Sequence, residues 1–190
     1  LYAIGFVEMV PFRVVKIGGS LLQLPDLSSR LERWRSQLPS DNNQTTQNIF
    51  VMGGGKICDH VRELDQRFAF SKSQSHTISI ELMGGMAKIA KAILNVEIVN
   101  QLDSILEQER DIIFDCRKWI SNHPNVPHSW SVTSDSIAAL LAKEISASLV
   151  LLKSTDNPLN LVDDYFPSAS NGLSDIQIVN LANKAFSCGP

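Results

Sequence analysis

The sequence is poor in the residues that cross-link small secreted domains or build metal sites. Only three of its 190 residues are cysteine, and Cys58, Cys116 and Cys188 are widely separated, with no CxxC pair or Cys/His cluster. A disulfide framework and a zinc site are therefore not expected, and reduced thiols in a cytoplasmic setting are the default. His60, His76, His123 and His128 show no metal-ligand spacing. Excess positive charge is also lacking. The net charge of −3 provides no basic field to attract nucleic acid or an anionic membrane. No apolar run reaches membrane-spanning length. Two common phosphate-binding patterns are missing as well. GxxxxGK followed by Ser or Thr does not occur, and neither does GxGxxG.

What remains is ordinary globular material. The chain is 44% hydrophobic and 19% charged, and its length suits one compact domain with a sizeable core. The apolar stretch 1–10 has no basic leader and no small-residue cleavage site, so it does not read as a signal peptide. Met9 stands just before the first strand-like segment. The expectation is an extension over residues 1–8 and a single domain over 9–190.

Hydrophobic patterning predicts strands and helices in alternation. Phe12–Ile17, Ile49–Met52, Asp111–Phe114 and Ser148–Leu152 are short β-branched or apolar runs without polar alternation, as in a parallel sheet covered on both faces. Helical spacing marks Asp26–Leu38, with Asp26 as a possible cap, then Lys56–Phe68, Ser75–Leu94, Asp103–Glu109 and Thr133–Ile145. In the long helix, Ile78, Leu82, Ile89 and Ile93 are read as the inward face. Its Gly84-Gly85 pair reads as close packing or a bend. Residues 39–48, 122–128 and 158–172 read as loops or irregular chain, and 176–181 as a last strand or a helix start. Trp34 and Trp119 read as core or rim. The alternation predicts an α/β domain with a mainly parallel sheet between helix layers.

Three glycine- or hydroxyl-marked segments carry the chemistry. In Val14-Val15-Lys16-Ile17-Gly18-Gly19-Ser20 a lysine ends an apolar strand, where burial is costly unless an anion pairs with it. The glycines beside it allow close backbone approach to a ligand. Val51-Met52-Gly53-Gly54-Gly55-Lys56 repeats the grammar and opens a helix, the geometry that binds phosphate. Thr133-Ser134-Asp135 starts a third helix. Capping explains one of these residues, and an aspartate behind the cap is able to orient facing lysines. Lys153-Ser154-Thr155 again puts a cation and hydroxyls at a strand's carboxyl end, though a solvated loop lysine explains it equally well. His128, beside Trp130, is read as a loop histidine with substrate contact as the alternative.

Taken in order, Val-Lys-Ile-Gly-Gly-Ser, Met-Gly-Gly-Gly and Thr-Ser-Asp-Ser-Ile-Ala-Ala resemble the amino acid kinase superfamily, the aspartate/glutamate/uridylate kinases, over about residues 13–156. Trp130 to Asp135, Leu151-Leu152-Lys153-Ser154 and Leu161 to Pro167 are most similar to small kinases of methanofuran-type cofactor synthesis, which phosphorylate an aminomethyl-furan-methyl phosphate. The resemblance implies a three-layer αβα sandwich, ATP with Mg²⁺, a small-molecule acceptor and a homodimer or higher homo-oligomer. It implies in-line γ-phosphoryl transfer to a carboxylate, carbamate or phosphate oxygen. Carried over, Lys16 contacts the transferred group and Asp135 orients the active-site lysine. Gly18, Gly19, Ser20, Lys153, Ser154 and Thr155 serve the nucleotide. Gly53, Gly54, Gly55, Thr133 and Ser134 serve the acceptor. No residue is expected to ligate a metal directly. Two departures stand out. After Thr155-Asp156 comes Asn157-Pro158, without the glycine of many relatives. The Gly-Gly-Met-x-x-Lys stretch that brings a second lysine near the C-terminus has no match after Lys153, and the similar letters at Gly84 to Lys88 lie mid-chain. A non-catalytic ligand-binding or storage protein on the same fold is the alternative.

Overall fold

The computed structural model describes residues 11–38, 46–156 and 161–183. The expected extension 1–8, most of the 39–48 loop, the Asn157-Pro158 departure and Cys188 lie outside them. Six strands form one sheet in the order β3-β4-β2-β1-β5-β6, and every pairing is parallel. They are β1 (Phe12–Ile17), β2 (Gln47–Met52), β3 (Glu97–Val99), β4 (Ile112–Phe114), β5 (Ser148–Lys153) and β6 (Ile176–Asn180). The segment 176–181 is thus the last strand. The three-residue β3 is too short to leave a periodic signal and is not in the sequence reading.

The helices are α1 (Leu27–Ser36), α2 (Gly55–Phe68), α3 (Lys72–Leu94), α4 (Asp103–Leu106), α5 (Arg117–Ser121), α6 (Ser134–Glu144) and α7 (Phe166–Ala169). They cover both faces of the sheet, so the α/β sandwich expectation holds. Period-two alternation sorts the strand residues between two cores. Val14, Val51, Phe114, Leu149 and Leu151 pack with Ile137, Ala138 and Leu141 of α6. Val15, Ile17, Met52, Val150 and Leu152 pack with Leu27, Leu31 and Trp34 of α1. Trp34 is fully buried, and Trp119 sits edge-on to Phe114 beside the first core. Among the described residues no helix is long and apolar enough to cross a membrane.

Two local expectations change. Asp26 does not cap α1 with its side chain; it pairs at 2.8 Å with Arg30, whose guanidinium also donates to the carbonyls of Leu181 and Ala182. The inward face of α3 is also different. Ile80, Met83, Met86, Ala87 and Ala90 are buried, while Ile78, Ile89 and Ile93 are exposed and Leu82 is half-buried. Both faces of this helix carry apolar residues at helical spacing, so periodicity alone cannot choose between them. A Ser71/Gln74 capping box starts the helix three residues before the predicted point.

The glycine pair in α3 divides cleanly. A Cβ on Gly84 would lie 2.1 Å from Nε of Arg117, which is held by Asp115 and Glu81, so close packing explains this glycine. A Cβ on Gly85 would meet nothing within 4 Å. Gly85→Ala is therefore expected to stabilise the protein by about 1 kcal/mol through helix propensity, a rise of about 2–4 °C in Tm. Gly84→Ala should destabilise it. Thermal unfolding of the two variants checks the pair, and equal shifts would refute the assignment.

Candidate active site

Strand parity builds the centre of the site. Lys16 follows Val15 onto the α6 side of the sheet, and Lys153 follows Leu152 onto the same side. The β1–β5 register pairs Lys16 with Leu151 and Ile17 with Leu152, so the two lysines stand near the carboxyl ends of neighbouring strands, with Lys153 two residues further along. Asp135, in the first turn of α6, lies against both. Lys153 Nζ donates to Oδ2 at 2.6 Å, and Lys16 Nζ lies 2.9 Å from Oδ1. The second contact is a charge contact; Oδ1 accepts no directed hydrogen bond. All three residues are buried, with Lys16 at 6%, Asp135 at 5% and Lys153 at 8% exposure. Neither lysine snorkels to solvent.

Two buried ammonium groups share one carboxylate. Burial pushes the Asp135 carboxyl up, but Lys16 and Lys153 together outweigh it and hold the group below the usual range. Lys153 moves the other way. Burial, then the charge of Lys16, lower it to about 8 despite its bond to Asp135. The triad carries surplus positive charge at neutral pH and is complete only with an anion. Sequence reading left Lys153 open between site and solvated loop and found no second lysine. The structure brings Lys153 itself to Asp135.

The start of α6 frees Asp135 for this position. Thr133, which stands at the cap position of α6, makes no side-chain cap. Asp163, distant in sequence, takes over. It accepts from the Thr133 amide and hydroxyl at 3.0 and 2.7 Å, from the Ser136 amide at 3.1 Å and from the Ser136 hydroxyl. The Thr133 hydroxyl thus donates to Asp163, a fact spacing did not signal.

The glycines meet each other. A Cβ on Gly19 would fall 2.2 Å from the Gly55 nitrogen, and Gly55 itself has φ +57°. The first two loops therefore pack backbone to backbone, which explains Gly19 and Gly55 without a ligand. Gly54 gives way to Cys58 Sγ, which a Cβ would approach to 1.9 Å. The Gly18 amide donates to the Leu152 carbonyl and the Gly53 amide to the Ile17 carbonyl, both at 2.9 Å. The Gly18 amide is therefore spent on the sheet, so the nucleotide-serving role expected of Gly18 cannot run through that amide. The opening amides of α2 remain for an anion, as at any helix N-terminus.

These elements enclose one cavity of about 300 Å³. Every expected site residue except Asp135 lines it; Asp135 sits behind the two lysines. On one side Ser20 and Ser154 approach at 2.7 Å between their hydroxyls, with Thr155 next to them. The opposite wall was not foreseen. It comprises Cys58, Asp59 and Arg62 of α2, His76, Ser79, Ile80 and Met83 of α3, and Ser129, Trp130 and Val132 before α6. Arg62 lies 4.7 Å over the Trp130 ring, and Asp65 accepts from Trp130 Nε1 at 2.6 Å and Ser75 Oγ at 2.9 Å. His128 stacks on His76 but is not on the cavity wall. Burial raises the Cys58 thiol, so it is not poised as a thiolate.

No family model matches the sequence. A curated relative, the (5-(aminomethyl)furan-3-yl)methyl phosphate kinase of Methanocaldococcus jannaschii, is 27% identical over 157 residues, 81% of this chain and 69% of the relative. The solved UMP kinase of Bacillus anthracis is similar with a TM-score of 0.62 at 12% identity, over 92% of this chain and 88% of that one. The uridylate kinase of Archaeoglobus fulgidus is similar at 20% identity and a TM-score of 0.49, over 76% of this chain and 63% of that one's length. The all-parallel sandwich and the glycine loops at its strand ends agree with these likenesses: the chain has the fold of the Bacillus anthracis UMP kinase and is similar in sequence to a small-molecule kinase over most of its length.

Proposed function

We propose that the protein is an ATP-dependent kinase that phosphorylates a small phosphate monoester. One observation carries the reading: Lys16 and Lys153 converge on Asp135 at the cavity, leaving a buried surplus of positive charge. A polyphosphate fits this donor set. Phosphoryl transfer needs positioning and charge stabilisation more than covalent help from the protein, and two fixed ammonium groups supply both. Asp135 aims the lysines. Lys16 and Lys153 neutralise oxygens of the moving group while its bond to the leaving ADP oxygen breaks and a bond to the acceptor oxygen forms. An acceptor phosphate is already ionised, so the step needs no general base. The α2 N-terminus adds backbone donors from the facing side.

Among the described residues no cluster of three His, Cys, Asp or Glu stands ready for a metal. Mg²⁺ therefore enters this reading on the nucleotide phosphates, where it would neutralise charge. The phosphate acceptor is supported by the relatives, whose names specify an aminomethyl-furan-methyl phosphate and UMP. A homo-oligomer and a reducing cytoplasm, with Cys58 and Cys116 as free thiols, belong to the same reading.

Thermal shift with millimolar Mg-ATP, followed by transfer assays on both named acceptors, tests it. Binding to the native state raises stability by mass action, about 2.7 kcal/mol at a hundredfold excess over Kd. Stabilisation with acceptor-dependent ADP release is the expected result. A folded sample showing neither would favour the non-catalytic binding protein.

A further inference from the structure

The long helix α3 turns one face to the cavity and leaves a second apolar face in solvent. Ser79, Ile80 and Met83 line the cavity. On the other side Ile78 is 38% exposed, Ile89 is 44% exposed and Leu82 is half-buried. Gly85 stands among them, and nothing lies within 4 Å of the place its Cβ would take. Residues 78, 82, 85 and 89 follow the four-three-four spacing of a helix-pairing seam. Single exposed apolar residues need no explanation, but a continuous outward stripe marks an interaction surface.

The stripe is its own complement. Consider two copies of α3 packed antiparallel about a twofold axis, with Ile78 of each copy level with Ile89 of the other. Leu82 of each copy then lies over Gly85 of the other, and the leucine fills the space that the glycine leaves open. A twofold contact requires this self-matching. Parallel packing puts Gly85 level with Gly85 and leaves the gap. The charges give the same register. Glu81 and Lys88 are seven residues apart and share one edge of the stripe. In the antiparallel pair Glu81 of each copy comes beside Lys88 of the other, so the match is made twice. Glu81 reaches Arg117 at 2.8 Å, yet its side chain is still 64% exposed, and Lys88 is exposed.

We propose that the exposed face of α3 is the contact between two copies of this chain, packed antiparallel about a twofold axis. Both the shape of the face and its charge pattern are completed by a second copy. The contact gives the homo-oligomer a defined surface, and it backs the α3 wall of the cavity from outside. It does not depend on the kinase reading.

Sedimentation equilibrium of the full chain, without nucleotide or acceptor, tests the proposal. Wild type should reach at least twice the protomer mass of 21.0 kDa as concentration rises. Ile89→Glu puts a charge into the seam at both ends and should leave a folded monomer, with circular dichroism as the check on folding. Glu81→Lys and Lys88→Glu each make two facing pairs repulsive, and each should weaken association by about tenfold. An equimolar mixture of these two single variants should associate again, because each copy then meets opposite charge on the other. The double variant Glu81→Lys/Lys88→Glu should also recover. A wild type that stays monomeric, the outcome if residues 1–10 or a different protein covers the face, would overturn the proposal. So would an oligomer that Ile89→Glu leaves intact, or a mixture no tighter than its components. Failure to bind Mg-ATP, with association intact, would instead overturn the kinase reading alone.

Discussion

Replacement of Lys16 by methionine is expected to lower kcat by about 10²- to 10³-fold, the usual effect of losing one preorganised donor to a transferring group. Methionine keeps the buried stem and removes the charge. The fold should survive, because subtraction leaves Lys153 and Asp135 as a matched pair in place of two cations on one anion. Removing one partner of a balanced buried pair is severe, but removing the surplus charge is not. Unfolding stability close to wild type is thus part of the expected result. A second readout separates a direct role from general damage. The charge of Lys16 is one cause that lowers Lys153 to about 8. Without it the Lys153 value should rise, and the alkaline limb of the residual kcat/KM profile should move up with it. Turnover near wild type, or a limb that stays in place, would remove Lys16 from the centre.

The sequence made the strand ends legible because each carries a chemical contradiction. A lysine closing Val14-Val15, or following Leu151-Leu152, requires an anion or solvent, and successive glycines require a close approach. The glycines misled in one respect. Much of the close approach is between the two loops themselves, through Gly19 and Gly55, and the Gly18 amide belongs to the sheet. Three other features depend on partners that spacing does not encode. Asp163 caps α6 from 27 residues beyond Ser136. Lys153 gains its role only by meeting Asp135. The wall of His76, Asp65 and Trp130 arises where α2, α3 and the chain before α6 pack together. In α3 the sequence offered two apolar faces, and only tertiary packing selected Ile80, Met83, Ala87 and Ala90 for the interior.

Asp135→Asn should do more harm than the loss of either lysine. The amide preserves shape but leaves two ammonium groups facing each other in a buried site, with no anion between them. Loss of one partner of a buried charge pair costs about 3–5 kcal/mol in general. Here Lys153 can limit the damage by releasing its proton, since its value already stands near 8. The variant should therefore fold, with Lys153 neutral across the neutral range. It then lacks the second charge as well as the aim of the first, and kcat should fall by at least about 10³-fold. Stability against pH gives the sign. In wild type the folded value of Lys153 lies below its unfolded value of about 10.5. The unfolded chain thus binds more protons between about 8 and 10.5, and stability gained from this group rises with pH across that window. In Asp135→Asn the window should open at lower pH. The lowered value of Asp135 itself contributes stability above its unfolded range, lost as pH falls through the folded value, and the variant should lack that acid-side loss. Mg-ATP should restore more stability to the variant than to wild type, because its phosphates replace the missing carboxylate charge. Denaturant unfolding across pH, with and without Mg-ATP, measures all three effects. Unchanged turnover with an unshifted pH window would reduce Asp135 to a helix-start residue, and the pairing of Lys16 with Lys153 would lose its mechanistic meaning.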